Sequence, residues 1–258
     1  MSIFHEITSG MLDLLFPRQP YCLVCNNKLE PGKVLVCHSC ESRVKPLSPP
    51  LCRKCGRSLL TPDIAAAGNE GLSAAGFYKD RAQHLCRDCR AREHFFVQAR
   101  SFGQYEGVLR ELIHHFKYGG KRELAGFLGE GMVRTLEQIS WPAFDYIVPV
   151  PLHIKRERER GFNQAYLLAA VVSRHTGIPI FKGFIRVKPT EHQTLLDKPL
   201  REQNLSGAFE VVDKAVLNGK TLLLIDDVYT TGSTADECSR TLINAGADCV
   251  FVLTCARG

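Results

Sequence analysis

Leu222-Leu223-Leu224-Ile225-Asp226-Asp227-Val228-Tyr229-Thr230-Thr231-Gly232-Ser233-Thr234 is the stretch that decides the fold. Its four consecutive apolar residues predict a strand buried on both faces in a parallel sheet, since a half-exposed strand would alternate. Ala235 to Ala245 predicts a helix that follows at once. The turn between them offers backbone N–H groups and a helix N-terminus, where negative charge is favoured. Thr230, Thr231, Ser233 and Thr234 add hydroxyl donors, and Gly232 lets the backbone come close to an anion. Asp226 and Asp227 would repel a phosphate held there unless they bind something else, and ribose hydroxyls suit them, directly or through Mg²⁺. The bland alternative is a strand end and a capped helix that bind nothing. Against it, paired acids at a buried strand end are costly without a ligand.

The same strand–loop–helix pattern occurs upstream. Asp145 to Pro151 reads as a strand, the basic run Lys155, Arg156, Arg158 and Arg160 follows it, and Gly161 permits a sharp turn into a helix over 163–175. A basic run after a buried strand can hold pyrophosphate. Glu157 and Glu159 partly neutralise it, so a solvated charged face is the rival reading, and the repeated pattern favours function. Before it, Val97 to Tyr105 predicts a strand, 107–116 a helix, Lys117 to Arg122 a basic glycine-broken turn and 123–137 another helix. Between two short strands, Phe184 to Val187 and Ala208 to Val212, lies a long polar excursion that carries Arg186 and Arg201. Such an excursion in a compact domain is either a binding lid, whose positive charge could cover a developing pyrophosphate, or a surface loop.

The N-terminal third is organised differently. Eight of eleven cysteines form four C-x-x-C pairs: Cys22/Cys25, Cys37/Cys40, Cys52/Cys55 and Cys86/Cys89. Two-residue spacing turns both sulfurs of a knuckle onto one metal, and two knuckles complete a tetrahedron, so two structural Zn²⁺ sites are expected. Pairing in sequence order is the simplest, and a crossed pairing stays open. Cys238, Cys249 and Cys255 read as small buried hydrophobes. Residues 3–16 place Ile7, Met11, Leu14 and Leu15 at helical spacing, and 61–84 read as a flexible polar insert. The parts are then an amphipathic helix at 1–20, a double ribbon at 21–94 and an α/β domain at 95–258.

The chain of 258 residues carries a formal charge of +6. Residues 1–94 hold 13 Lys/Arg against 9 Asp/Glu. Two Cys₄ zinc sites, each net −2, cancel that excess, which leaves about +2 and weak support for general nucleic-acid affinity. No run is long enough for a membrane span. Glu6 and Asp13 stand where a secretory signal would be basic, so a cytoplasmic protein is expected.

The acid pair and its turn resemble the phosphoribosyl-pyrophosphate (PRPP) motif of type I phosphoribosyltransferases, with Ser233 in place of the second loop glycine. As a whole the chain is similar to the ComF/GntX group of bacterial competence and DNA-utilisation proteins. The features that carry this resemblance are the four C-x-x-C pairs, Phe102 to Tyr118, Val148-Pro149-Val150-Pro151 and Arg158 to Gln164. The spaced set Arg186, Thr190, Gln193, Arg201, Asn204 and Phe209 and the Asp226-Asp227 turn complete it. The resemblance implies an α/β fold, a type I phosphoribosyltransferase-like parallel sheet with flanking helices behind a small double zinc ribbon. It implies that Asp226 and Asp227 meet the ribose of Mg²⁺-bound PRPP and that Thr230 to Thr234, Gly232 included, hold its 5-phosphate. By the same resemblance residues 152–160 face pyrophosphate and 186–204 form a hood.

Three functions fit these residues. An enzyme would transfer the phosphoribosyl group to an amine or base nitrogen, with Arg186 and Arg201 stabilising the leaving charge. A nucleic-acid-handling factor would bind single-stranded DNA through the ribbons and the clusters Lys117–Arg122 and Lys155–Arg160. A PRPP-sensing scaffold would use the ribbons to bind a protein. Metal removal is expected to unfold residues 20–90 and leave PRPP binding mostly intact.

Overall fold

The computed structural model describes residues 21–59, 84–188 and 205–258. The expected helix at 3–16, nearly all of the insert at 61–84, and Thr190, Gln193, Arg201 and Asn204 lie outside them. The chain divides into two compact units, Met1–Val44 and Lys45–Gly258. The sequence grouped both ribbons together over 21–94, whereas here the second ribbon shares a unit with the sheet.

The two ribbons begin with equivalent knuckles. Tyr21 bridges Lys28 and Leu51 bridges Ser58, both antiparallel. In each knuckle the residue after the second cysteine returns its N–H to the carbonyl of the first, Asn26 to Cys22 and Gly56 to Cys52, both 2.9 Å. That position needs a positive φ, 57° at Asn26 and 71° at Gly56, which Asn and Gly tolerate best. Short helices α1 (His38–Glu41) and α2 (Arg87–Ala91) carry Cys40 and Cys89.

The sheet domain then runs β1 (Gln98–Gln104), α3 (Gly107–Tyr118), α4 (Leu124–Glu137), β2 (Tyr146–Pro149), α5 (Ile154–Arg160) and α6 (Gln164–Thr176). It continues through β3 (Phe184–Arg186), β4 (Phe209–Val211), β5 (Thr221–Tyr229), α7 (Ser233–Asn244) and β6 (Cys249–Arg257). Four strands form a parallel sheet in the order β1-β6-β5-β2. β3 and β4 form a separate antiparallel pair. The expected parallel sheet with flanking helices is therefore present.

The apolar runs explain the sheet. Leu222, Leu223, Leu224 and Ile225 of β5 are fully buried, as are Val250, Val252 and Leu253 of β6. At about 2 kcal/mol for each buried aliphatic side chain, the four β5 residues alone contribute on the order of 8 kcal/mol of gross burial. α3 buries Val108, Leu109, Leu112, Ile113 and Phe116 on one stripe. α4 meets α6 closely because Gly129 leaves room for Val171, whose Cβ lies 2.6 Å from where a Gly129 Cβ would sit. Cys238 and Cys255 are fully buried and Cys249 is half-buried, as small hydrophobes would be.

The second ribbon docks on β1, the sheet's edge strand among the described residues. The Ala99 N–H donates to Lys54 O (2.7 Å), and Gln98 Nε2 donates to Arg53 O (2.7 Å). Gly56 is needed for this approach, since a Cβ there would lie 2.8 Å from Ala99 O. Covering an edge in this way also removes a site for unwanted strand pairing. Cys52, Cys55, Cys86 and Cys89 consequently belong to the same core as Phe96, Tyr229, Cys238 and Val252. No helix among the described residues is long and apolar enough to cross a membrane.

Candidate functional site: an acid pair, a hydroxyl-rich turn and two four-cysteine centres

β5 does not end before the acids. It continues through Asp226 and Asp227 to Tyr229, because β6 stays beside it as far as the Tyr229↔Arg257 pair. β2, on the other side, pairs with β5 only as far as Ile225. The chain leaves β2 through α5 and α6 to Ile180, which bridges Ile147, whereas it leaves β5 through α7 toward β6. Successive connections thus diverge between β2 and β5, which opens a crevice beyond their C-terminal ends, where parallel sheets bind ligands. Asp226 and Asp227 sit at that opening.

Burial pushes the Asp226 carboxyl up to about 7, and the charge of Asp227 adds to the effect. Lys117 opposes it. The Lys117 ammonium pairs with Asp227 Oδ1 at 2.8 Å. Burial works against the Lys117 charge, but Asp227 outweighs it and the lysine's proton affinity is raised. The Asp227 N–H donates to Asp226 Oδ1 at 2.8 Å. Keeping Asp226 ionised above its folded value costs about 4 kcal/mol, which the buried apolar run of β5 can sustain. The sequence reading assigned Lys117 to a basic turn, but it belongs to the last turn of α3. The overlooked signal was its phase, since Ile113, Phe116 and Lys117 share the buried stripe at i, i+3 and i+4.

The turn after Tyr229 forms as expected. Gly232 has φ +82° and caps α7, and a Cβ there would collide with the Tyr229 hydroxyl. Ser233 and Thr231 hydroxyls lie 3.0 Å apart. Asp226, Thr230, Gly232, Ser233 and Thr234 line one small recess together with Thr254 of β6. Gly232→Ala is expected to weaken anion binding at this turn at least tenfold, because the turn must open to admit the methyl group. Isothermal titration with PRPP measures the loss.

The other expected residues are distributed unevenly. The Arg186 charge works weakly against the rise at Asp226, and its guanidinium lies 5.3 Å from the Phe209 ring centroid. Burial lowers the Arg186 pKa, and the charge of Arg156 adds to this. Residues 154–160 form a short helix rather than a loop, closed by Gly161 at φ +77°. Lys155 and Arg158 are exposed on it. Arg160 donates to Gln164 Oε1 (3.0 Å) and stacks on Tyr118 at 5.1 Å. Arg201 lies outside the described residues. Arg257, absent from the sequence reading, is buried at the end of β6 and donates to Thr230 O at 2.7 Å.

The cysteines pair in sequence order. Cys22, Cys25, Cys37 and Cys40 form one group and Cys52, Cys55, Cys86 and Cys89 the other, each with its sulfurs within 4.8 Å of one another. A zinc tetrahedron with Zn–S near 2.3 Å has S–S edges of about 3.8 Å. Cys25–Cys37 at 3.6 Å and Cys55–Cys86 at 3.7 Å match that edge. The Cys86 N–H donates to Cys52 Sγ (3.3 Å) and the Cys37 N–H to Cys22 Sγ (3.5 Å), as thiolate ligands of a ribbon require. Hydrogen bonds from Cys55, Cys86 and Cys89 lower the Cys52 pKa, whereas Cys52 raises that of Cys89. Four sulfurs this close need a cation to be thiolates together, and the donor set fits zinc.

Residues 11–90 match the family model of the double zinc ribbon domain. The chain is 33% identical over 244 residues to competence protein F of Haemophilus influenzae, which covers 92% of this chain and 96% of that one. It is 28% identical over 243 residues to competence protein ComFC of Bacillus subtilis, covering 87% and 89%. It is also 29% identical over 239 residues to DNA utilization protein YhgH of Escherichia coli, covering 90% and 94%. Similarity along nearly the whole of both chains, together with the two four-cysteine groups, shows that this chain belongs to the competence protein F (ComF) family.

Proposed function

We propose that this chain is a PRPP-binding, phosphoribosyltransferase-like protein that acts in the cytoplasm in DNA uptake or in the use of DNA. The observation that carries this reading is the juxtaposition, at a strand C-terminus, of the Asp226-Asp227 pair with a hydroxyl-rich turn on the N-terminus of α7. The turn suits the 5-phosphate, and the acids suit the ribose hydroxyls. Arg186 and Arg156 supply positive charge where a pyrophosphate would leave. Asp226 and Asp227 offer oxygen donors of the kind Mg²⁺ takes alongside substrate phosphates, and a bound Mg²⁺ would supply charge for the pyrophosphate. Lys117 already holds Asp227, so ligand and lysine share or exchange that carboxylate. The role in DNA uptake or use is supported by the names of the relatives, competence protein F and DNA utilization protein.

The test is PRPP binding and pyrophosphate release in the presence of Mg²⁺, with bases, ammonia or single-stranded DNA as acceptors. The Asp226→Asn/Asp227→Asn double variant runs beside it. Binding that the double variant loses is expected. Release that depends on one acceptor makes the protein a transferase and names its substrate. Binding without release for any acceptor assigns the site to sensing or DNA handling. Absence of binding by the unaltered chain overturns the reading.

A further inference from the structure

The two four-cysteine groups are built from the same C-x-x-C knuckles and differ in what surrounds them. The first belongs to the unit Met1–Val44, and the second lies in the core of the sheet unit. From the second group, two chains of contacts lead to the turn 230–234. In one, Arg257 Nη2 donates to Cys55 Sγ (3.7 Å), while its Nη1 donates to Thr230 O (2.7 Å) and Tyr229 O (3.3 Å). The same guanidinium stacks on the Tyr229 ring at 4.6 Å, and the Tyr229 hydroxyl lies under Gly232.

In the other chain of contacts, Cys89 Sγ meets His94 Nε2 at 3.6 Å, and His94 Nδ1 faces Asp236 Oδ1 at 3.4 Å. Asp236 stands in the first turn of α7. It accepts from Arg92 (2.5 Å) and from the Phe95 N–H (2.8 Å), and its own N–H donates to Gly232 O (2.8 Å). The turn is therefore held at Thr230 by a side chain that also touches Cys55, and at Gly232 by the backbone of Asp236, whose carboxylate faces the His94 that touches Cys89. A Cys₄ zinc site is a net dianion, so assembly of the centre supplies negative charge beside the buried guanidinium that touches Cys55.

We propose that the second four-cysteine centre is a strut of the anion-binding turn, with Arg257 and Asp236 as positioning residues. Metal at Cys52, Cys55, Cys86 and Cys89 and Mg²⁺–PRPP at the turn then favour each other's binding. This rests on the reading of the turn as a PRPP site. It also reverses the sequence-based expectation that metal removal spares PRPP binding, because the second ribbon shares its core with the turn.

Coupling between two ligands is reciprocal, so it can be read from the metal side without activity. Zinc release from the unaltered, two-zinc chain to a chromogenic chelator is followed with and without saturating Mg²⁺–PRPP. PRPP is expected to slow release of one of the two equivalents at least fivefold. Cys40→Ser, which breaks the first centre, should keep both PRPP binding and that protection. Arg257→Gln should keep two zincs, weaken PRPP about tenfold and lose most of the protection even when saturated. General stabilisation by a bound ligand would protect zinc in Arg257→Gln as well as in the unaltered chain, so undiminished protection there overturns the strut. PRPP that binds the unaltered chain without slowing either release overturns the strut and leaves the PRPP reading standing. No PRPP binding by the two-zinc chain overturns both.

Discussion

Asp226→Asn is expected to weaken Mg²⁺–PRPP binding at least a hundredfold and, at pH 8, to make the ligand-free chain more stable by about 2–4 kcal/mol. The two effects have one cause. Burial and Asp227 raise the Asp226 carboxyl to about 7, above its ordinary value of 3.8. Between those values the folded chain keeps a proton that the unfolded chain has released, so stability falls as pH rises from about 4 to about 7 and stays low above that. Asparagine can still accept from the Asp227 N–H and carries no such penalty. The stability gap between variant and unaltered chain should therefore be near zero at pH 4, open through pH 7 and level off. Urea unfolding across that range measures it. A gap independent of pH, or a less stable variant at pH 8, removes the strained acid from the account.

Lys117→Met is expected to cost about 3 kcal/mol at pH 8, because it leaves Asp227 without its cation beside a second acid. The sign follows from the same groups. Without Lys117 Asp226 is harder to ionise, so the folded chain holds its proton more tightly and stability falls further as pH rises. Acidification to about pH 4.5 should return part of the loss, since a neutral Asp226 no longer adds to the charge around Asp227. Lys117→Arg keeps the charge and should lose much less. A loss in Lys117→Met that is equal at both pH values would mean that the aliphatic stem, not the ammonium, is what matters.

Most elements of the sheet domain were legible because each has a local cause, although neither α5 nor β6 was predicted. The apolar run of β5 marks a doubly buried strand, the stripe Val108, Leu112, Ile113 and Phe116 marks α3, and Gly161 and Gly232 mark turns that need positive φ. The cysteine pairs were legible because a knuckle is built from two residues of spacing. Arg257 and Asp236 were not, as each looks like an ordinary charge at the end of a strand or in the first turn of a helix. Their partners stand 202 residues away for Arg257–Cys55 and 144 for Arg92–Asp236.

By itself the sequence determined which residues could do chemistry here: the acids, the hydroxyl turn, the basic run and eight metal-binding cysteines. All of these are short-range patterns, and the free energies behind them are settled within a turn or a strand. Only the tertiary structure decided that the cysteines group in sequence order, that Lys117 faces Asp227, and that Arg257 joins the second centre to the turn at Thr230. Those three depend on which surfaces the packing of β1, α3 and β6 brings together. Burial in a shared core, unlike spacing along the chain, is a property of the whole unit.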